Sequence, residues 1–214
     1  MKPTLNIRIA TMDDCPRIAG LMEESVRVLA QPDYPSDVLE TALRSGAWGL
    51  DTQLIKDETF YLVFVGSTLA GCGSWSFRRT LFGSDTEQMH NADRLDPKVD
   101  AARIRAFFVH PHFARHGIGS LLLTCCEKAA QIAGFHSFTL AATLPGKRLY
   151  RTHGYMVTEA IERDVGGGLT MRGLLMTKRP LRKANPVSTA VSRFSRFAAA
   201  LATTSTAAHA NTEP

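Results

Sequence analysis

The sequence predicts an α/β fold in a single domain, and three observations support that prediction. The chain of 214 residues is long enough to bury one sizeable hydrophobic core. Its composition, 44% hydrophobic and 21% charged, is that of an ordinary globular protein. Segments with the two-residue alternation of strands are interspersed with segments whose apolar residues recur at the spacing of helices. Strands and helices of this kind pack as layers around one core.

The N-terminal segment predicts a strand followed by two helices. Residues 5–10 (LNIRIA) alternate like a short strand, and the acids and proline of residues 11–16 are suited to the start of a helix. That helix is predicted to continue to about Ala30. Beyond a break that contains two prolines, residues 36–44 predict a second, shorter helix.

The middle of the chain predicts a hairpin, a long loop, a strand and a helix. Two strand-like runs, 59–65 and 69–77, flank a short turn and predict the hairpin. Residues 78–102 are polar and show no clear period, so they predict a long loop. A strand over 104–109 and a helix from about 118 to 133 follow.

The last elements are predicted as a strand over 138–142, a short helix over 146–152, and two closing strands. These strands span 155–162 and 169–177, and the glycines at 166–168 form the turn between them. This succession of strands with intervening helices completes the predicted domain.

Beyond residue 182 the composition shifts to Ala, Ser and Thr. We therefore expect a domain over residues 1–182 and a disordered tail over residues 183–214. An alternative is an amphipathic helix that binds a membrane surface or a partner, because apolar residues of the tail recur at heptad-like intervals.

Charge and cysteine usage exclude several classes. The net charge is +5, but the basic residues are spread along the chain, so a nucleic-acid partner is not expected. The four cysteines lack CxxC spacing, which predicts reduced thiols. With no signal peptide or membrane-length apolar run, we expect no membrane span and a cytoplasmic location. His110, His112 and His116 have no carboxylate near them in the sequence, so we expect no metal site.

The junction between the 104–109 strand and the following helix predicts an anion site. A helix N-terminus presents unpaired amides and partial positive charge, which suits a phosphate. Gly117 and Gly119 let the backbone approach a ligand, Arg115 and His116 add charge, and the Ser120 hydroxyl adds a hydrogen-bond donor. The P-loop and dinucleotide patterns do not fit. A connection that binds nothing remains an alternative from these residues alone.

With the strand IRAFFVHP before it and the helix SLLLTCCEKAA after it, this segment resembles the acetyl-CoA-binding motif of the GNAT superfamily of N-acetyltransferases. Residues 149–155 (LYRTHGY) resemble a second signature of that family, and IRIATMDD near the N-terminus is similar to its usual start. The resemblance covers roughly residues 5–178. It implies a mixed, mostly antiparallel sheet whose central strands splay apart, flanked by helices, with a bulge in the strand before the motif.

The resemblance also implies acetyl-CoA as co-substrate and direct transfer of the acetyl group to a primary amine of a small molecule or a peptide. A homodimer would follow from the habit of the family. The implied cofactor-binding residues are Phe108, Val109, Ala114, Arg115, His116, Gly117, Ile118, Gly119 and Ser120.

Tyr150 is the implied catalytic residue, as the general acid that protonates the departing thiolate. A phenol with a reference pKa of about 10 stays protonated at neutral pH, whereas a simple thiol ionises near 8.5. Main-chain amides near Phe108 and Val109 are the expected donors to the oxyanion.

Two departures from the family pattern leave part of the site open. Ala114 stands where the family usually has Arg or Gln, and Arg103 stands where many members have a Glu that acts as general base. Candidates for the base are Asp100, Glu87, His90 and His110. A protein that binds acyl-CoA as a sensor with little turnover is therefore the alternative function.

The acceptor side is expected to come from the first two helices, the hairpin and the loop over 78–102. Its candidate aromatic residues are Trp48, Trp75 and Phe77. The acids of the 78–102 loop hint at a cationic amine, although a solvated charged loop would look the same.

Overall fold

The structure is a computed structural model that describes residues 4–85 and 93–179. Its centre is a seven-stranded sheet with the order β1-β2-β3-β4-β5-β7-β6. The strands are β1 Leu5–Ile9, β2 Phe60–Val65, β3 Thr68–Ser76, β4 Ala102–Val109, β5 Phe138–Thr143, β6 Met156–Gly166 and β7 Leu169–Lys178. The α-helices are α1 Cys15–Ser25, α2 Ser36–Arg44, α3 Thr52–Lys56, α4 Ile118–Ile132 and α5 Lys147–Thr152. The predicted α/β fold with a mixed, mostly antiparallel sheet is confirmed. The predicted tail over 183–214 lies outside the described residues.

Helices cover both faces of the sheet, as the alternation of side chains along β2 shows. Leu62 and Phe64 pack in one cluster with Ile18 and Leu21 of α1. Val63, between them in sequence, packs in another cluster with residues of α4. Since neighbouring residues of a strand point to opposite faces, α1 and α4 lie on opposite sides of the sheet.

The centre of the sheet is opened by a divergence between β4 and β5. These strands are parallel and pair only through Ala102 with Phe138 and Arg103 with Thr139. β4 nevertheless continues to Val109, paired with β3 on its other side. The splayed strands implied by the family resemblance are therefore present.

β4 also carries the implied bulge. Arg105 is paired with Ser74 and Phe108 with Cys72, so two residues of β4 lie opposite the single residue Gly73. One of the two, Ala106, has φ of 55°. A left-handed alanine is strained, and a bulge increases the local twist of its strand. The bulge lies in the part of β4 that no longer pairs with β5.

The N-terminal elements agree with the prediction in position and differ in detail. The first helix does reach Ala30, but its last turn, Val26–Ala30, has π-helical hydrogen bonding. The short helix α3 was not predicted, because five residues are too few to show a period. Its start is nevertheless encoded locally, since the Asp51 side chain accepts a hydrogen bond from the Gln53 amide at 3.0 Å.

The described part of the predicted 78–102 loop is anchored to the domain. Arg78 forms a β-bridge with Arg94, and its guanidinium donates to both carboxylate oxygens of Asp57 at 2.6 and 2.8 Å. The ring of Phe77 lies near both arginines, with guanidinium-to-centroid distances of 5.4 and 5.0 Å. Ion pairing and cation–π contacts therefore hold a segment that lacks regular structure.

All four cysteines are free thiols, as predicted. In the part of the chain that the structure describes, no helix has the length and apolar character needed to cross a bilayer.

Candidate active site

A cavity of about 650 Å³ lies where β4 and β5 diverge. One set of lining residues comes from the end of β4, the segment between β4 and α4, the first turn of α4, and α5. Another set comes from the turn Val26–Ala30, the segments 47–51 and 81–83, and the β6–β7 hairpin. The opening in the sheet therefore joins elements from both of its faces.

The segment before α4 adopts the conformation that an anion site needs. Arg115 and Gly117 both have positive φ, at 66° and 87°. A side chain at Gly117 would meet nothing within 4 Å, so the backbone conformation, not the available space, favours glycine there. These two residues turn the chain into the 15-residue helix α4.

Most of the amides in this turn have no acceptor among the described residues. The Ala114 amide donates to the Pro111 carbonyl at 3.1 Å and the His116 amide to the Phe113 carbonyl at 3.4 Å. Within the described chain, no acceptor is found for five amides, those of Arg115, Gly117, Ile118, Gly119 and Ser120. Because they cluster at the N-terminus of α4, their donors add to the positive end of the helix dipole. We call these five amides the amide cradle.

The side chains of the segment before α4 differ in whether they line the cavity. Arg115 and Ser120 line the cavity, whereas His116 is exposed and its Nδ1 donates to the Ala114 carbonyl at 2.8 Å. A Cβ at Gly119 would lie 3.1 Å from Leu149 Cδ2, so this glycine lets α4 approach α5 closely. Arg148 of α5 also lines the cavity. The sequence analysis missed it because nothing local links α5 to the turn before α4.

The two predicted oxyanion donors, the amides of Phe108 and Val109, point to opposite sides of β4. The His110 amide donates to the Ala70 carbonyl of β3 at 3.0 Å. Amides alternate in direction along a strand, so Phe108 points its amide to β3 as well, and Val109 points its amide the opposite way. There the Ser25 hydroxyl lies 3.4 Å from the Val109 nitrogen. Of the two predicted oxyanion donors, only the Val109 amide points away from β3. Both residues line the cavity.

Tyr150 is buried and lines the cavity. Its ring makes edge-on contacts with Phe107 and Tyr155, at centroid distances of 6.1 and 5.7 Å. A Cβ at residue 146 would lie 3.3 Å from Tyr150 Cε2, so Gly146 makes room for the ring. Burial raises the pKa of the Tyr150 phenol, and the nearby Cys126 thiol adds to the shift. The phenol is therefore held in its protonated form.

Of the four candidate bases, the two that the structure describes, Asp100 and His110, are not found in the cavity wall. Asp100 accepts a hydrogen bond from the Asp96 amide at 2.9 Å, and His110 lies 3.4 Å from Glu24. Glu87 and His90 lie outside the described residues. Among the described lining residues the only carboxylate is Asp51. Sequence analysis missed it because it caps the unpredicted helix α3.

The acceptor side differs from the prediction in its aromatic residues. Trp48 lines the cavity, but Trp75 belongs to the core cluster that contains Phe135, and Phe77 packs against that cluster. Trp75 and Phe135 are in edge-on contact, with a centroid distance of 6.0 Å. The β6–β7 hairpin supplies wall residues instead, including Ile161 and Met171. The pairing that brings this hairpin to the cavity is long-range and leaves no local signal.

Across residues 4–85 and 93–179, no three side chains of His, Cys, Asp or Glu gather in a way that could hold a metal ion.

Comparison with solved structures identifies the same fold in known proteins. A GCN5-related N-acetyltransferase from Rhodopseudomonas palustris superposes with a TM-score of 0.61 at 19% identity, over 84% of this chain and 98% of that one. PaiA N-acetyltransferase from Thermoplasma acidophilum, solved with coenzyme A, gives 0.56 at 18% identity, over 82% and 99%. YncA from Salmonella typhimurium, solved with acetyl-CoA, gives 0.52 at 17% identity, over 87% and 99%.

A search of curated proteins finds no match. The family model described as the acetyltransferase (GNAT) family matches residues 23–155, which is more than half of the chain. The chain belongs to the GNAT acetyltransferase family.

Proposed function

We propose that the protein is an N-acetyltransferase that moves an acetyl group from acetyl-CoA to a primary amine within a ternary complex. The observation that carries the proposal is the amide cradle at the start of α4, beside the opening between β4 and β5. A cluster of amides without protein acceptors at a helix N-terminus suits a diphosphate.

The lining of the cavity supports binding of the rest of the cofactor. Arg115 and Arg148 line it and carry charge that suits phosphate groups. β4 faces β5 without pairing beyond Arg103, so its backbone groups are available to the amides of an extended pantetheine arm. Two proteins with this fold were solved with coenzyme A or acetyl-CoA, which supports the same ligand here.

The reaction joins an amine nitrogen to the acetyl carbon and releases coenzyme A. The lone pair of the neutral amine attacks the thioester carbonyl, and negative charge develops on its oxygen. A C–N bond forms, the C–S bond breaks, and the sulfur leaves as a thiolate that takes up one proton. The acceptor nitrogen loses its protons to water, so acetyl-CoA and an ammonium ion yield an amide, a thiol and one released proton. Placing both substrates in one cavity supplies the orientation.

Tyr150 acts on the leaving group in this proposal. Its hydroxyl has no partner within the described protein, and its ring forms part of the cavity wall. Because burial makes the phenolate costly, the hydroxyl serves mainly as a hydrogen-bond donor to the departing sulfur, which then takes its proton from Tyr150 or from water. The Val109 amide stabilises the oxyanion once the Ser25 hydroxyl yields its place.

The test combines cofactor binding with thiol release. Calorimetric titration of the full chain with acetyl-CoA should show saturable binding at one site, and thiol should be released with an amine of the correct class. Tyr150→Phe should lower kcat by about 100-fold while acetyl-CoA binding is retained. Tyr155→Phe removes a similarly buried phenol that does not line the cavity, and should keep kcat within about twofold. Absence of saturable acetyl-CoA binding would overturn the proposal.

A catalytically weak acyl-CoA sensor is the second candidate. Asp51, the one carboxylate in the described wall, favours this candidate. It lies 2.8 Å from Arg105 in an ion pair, so it is poorly placed to accept a proton from an amine. Saturable acetyl-CoA binding without thiol release on any amine of a broad panel would establish the sensor and exclude the enzyme.

A further inference from the structure

Ser25 places a hydroxyl group in the buried stripe of α1. The other buried residues of this helix are apolar, namely Ile18, Leu21 and Met22. Ser25 follows them at helical spacing, is only 6% exposed, and lines the cavity. A hydroxyl in such a position costs free energy unless it makes hydrogen bonds. The hydrogen bonds of this hydroxyl therefore decide what it can do in the site.

The Ser25 hydroxyl accepts one hydrogen bond and keeps its own hydrogen available. The Val109 amide donates to Ser25 Oγ at 3.4 Å, beyond the usual range of about 2.7–3.2 Å for a bond of this type. Within residues 4–85 and 93–179, no acceptor is found for the hydroxyl hydrogen. A serine hydroxyl can accept and donate at the same time. Ser25 therefore brings an unused donor to the cavity wall, next to the amide that is proposed to stabilise the oxyanion.

The helix changes its geometry at this residue. α1 ends at Ser25, and the turn Val26–Ala30 that follows has π-helical hydrogen bonding. Val26, Leu29 and Ala30 of this turn also line the cavity. Single π-helical turns are rare and are frequently found at functional sites. This turn is a second observation, independent of the hydroxyl, that assigns the end of α1 to the site.

We propose that the Ser25 hydroxyl donates a hydrogen bond to the carbonyl oxygen of the bound acetyl group and forms, together with the Val109 amide, an oxyanion site with two donors. The inference rests on the proposed acetyltransferase function, since it adds a catalytic residue to that reaction. Hydrogen bonds to oxygen are about 2.7–3.0 Å long, so two donor atoms 3.4 Å apart can both contact a single oxygen. Ser25 keeps its proton throughout and contributes only the hydrogen bond.

A second donor is expected because the end of β4 supplies only one. The His110 amide donates to the Ala70 carbonyl of β3, and the Phe108 amide points the same way. Of these three consecutive amides, that of Val109 alone is directed away from β3. The carbonyl oxygen gains negative charge as the amine attacks, so a hydroxyl beside the Val109 amide stabilises the transition state more than the bound thioester.

The long hydrogen bond between Val109 and Ser25 suits a site that awaits its substrate. It gives the buried amide an acceptor and so avoids the cost of leaving that amide unpaired. Because the bond is long, little is lost when the acetyl oxygen replaces Ser25 Oγ as the acceptor and the hydroxyl turns to donate to the same oxygen. Both donors are therefore in place before the reaction begins.

The test measures the carbonyl stretching frequency of acetyl-CoA, labelled with carbon-13 at the acetyl carbonyl and bound to the full chain, by difference infrared spectroscopy. Hydrogen bonds to a carbonyl lower this frequency, so Ser25→Ala should raise it relative to the wild type. Alanine favours a helix, so this variant should fold. Ser25→Thr keeps the hydroxyl and should keep the lower frequency.

Ser45→Ala is the matched control. The Ser45 hydroxyl is partly buried and donates to the Ala42 carbonyl at 3.2 Å, but it does not line the cavity. Its removal should leave the frequency of the bound thioester unchanged.

Binding and kinetics distinguish this role from a structural one. Coenzyme A has no acetyl group, so calorimetry should show that Ser25→Ala binds it about as tightly as the wild type does. With any amine that the wild type acetylates, Ser25→Ala should lower kcat by about 100-fold and leave KM for acetyl-CoA within about threefold. A disturbance of the end of α1 would instead weaken coenzyme A binding and raise that KM.

The outcomes separate this inference from the proposed function. An unchanged carbonyl frequency in Ser25→Ala, or an equal rise in Ser45→Ala, would overturn the role of Ser25 and leave the N-acetyltransferase in place if thiol is released. A frequency raised in Ser25→Ala alone, with no thiol released by the wild type on any amine, would support the Ser25 contact and refute the enzyme. Absence of acetyl-CoA binding would refute both.

Discussion

Gly71 of β3 offers a direct test of how closely α4 packs on the sheet. A Cβ at this residue would lie 2.7 Å from Ile118 Cγ2, 3.1 Å from the Phe108 carbonyl oxygen and 3.2 Å from Leu122 Cδ1. Carbon atoms in good contact are about 3.5–4.0 Å apart, so Gly71→Ala must displace α4 or β4. Overpacking of this kind costs about 1–3 kcal/mol, which corresponds to a fall in Tm of about 2–12 °C for a domain of this size.

The same substitution at Gly20 provides the control. Gly20 lies inside α1, and a Cβ there would meet nothing within 4 Å. Gly20→Ala should therefore stabilise the protein by about 0.5–1 kcal/mol, because alanine loses less backbone entropy in a helix. Both variants are measured by thermal denaturation and by calorimetric titration with coenzyme A.

The two variants should also differ in cofactor affinity. Ile118 provides one amide of the cradle, so its displacement in Gly71→Ala should weaken coenzyme A binding, whereas Gly20→Ala should leave it unchanged. A Gly71→Ala protein with an unchanged or higher Tm and unchanged affinity would refute the argument that α4 is seated directly on β3.

Three further predictions follow from single residues. Gly117→Ala places alanine at φ of 87°, which costs about 1–2 kcal/mol. The free turn relaxes to escape this strain and must regain it to bind, so calorimetry should show coenzyme A affinity weakened by roughly 5–30-fold, and unchanged affinity would contradict this. Arg8 holds the pKa of Asp14 far below its usual range, so this pair stabilises the fold above pH 4, and the stability is lost as acidification passes through the depressed pKa. Asp14→Asn should accordingly lower Tm at pH 7 and flatten its dependence on pH below about 4; an unchanged acid profile would contradict this. Burial raises the pKa of Cys72 to about 12 and that of Cys126 well above its usual value, so mass spectrometry should show neither thiol alkylated in the native protein at pH 8, and rapid labelling would contradict it.

The parts of the site that could be predicted from sequence are those encoded locally. The turn before α4 depends on Gly117 and on the adjoining helix start, and both are visible in a short stretch of chain. Tyr150 was identified through its neighbours in LYRTHGY, and the structure places it in the cavity wall. Its role there remains a prediction, as do the roles of the residues of the turn.

The acceptor side of the cavity could not be predicted, because it is assembled by long-range pairing. Arg163 and Met171 reach the cavity only because β7 pairs with β5, which inserts β7 before β6 in the sheet. Trp75 was a plausible lining residue by type, but the alternation along β3 directs it to the core beside Phe135. A period-two pattern identifies the two faces of a strand and does not say which face meets a cleft.

The divergence of β4 and β5 has a consequence for how the domain survives in a cell. A sheet is weakest where two neighbouring strands lack hydrogen bonds to each other. An extended ligand bound between β4 and β5 would supply hydrogen bonds in their place. A ligand that binds only the folded form shifts the folding equilibrium in proportion to its concentration. If acetyl-CoA is that ligand, as the proposed function states, its supply should therefore govern how long each copy of the protein resists proteases.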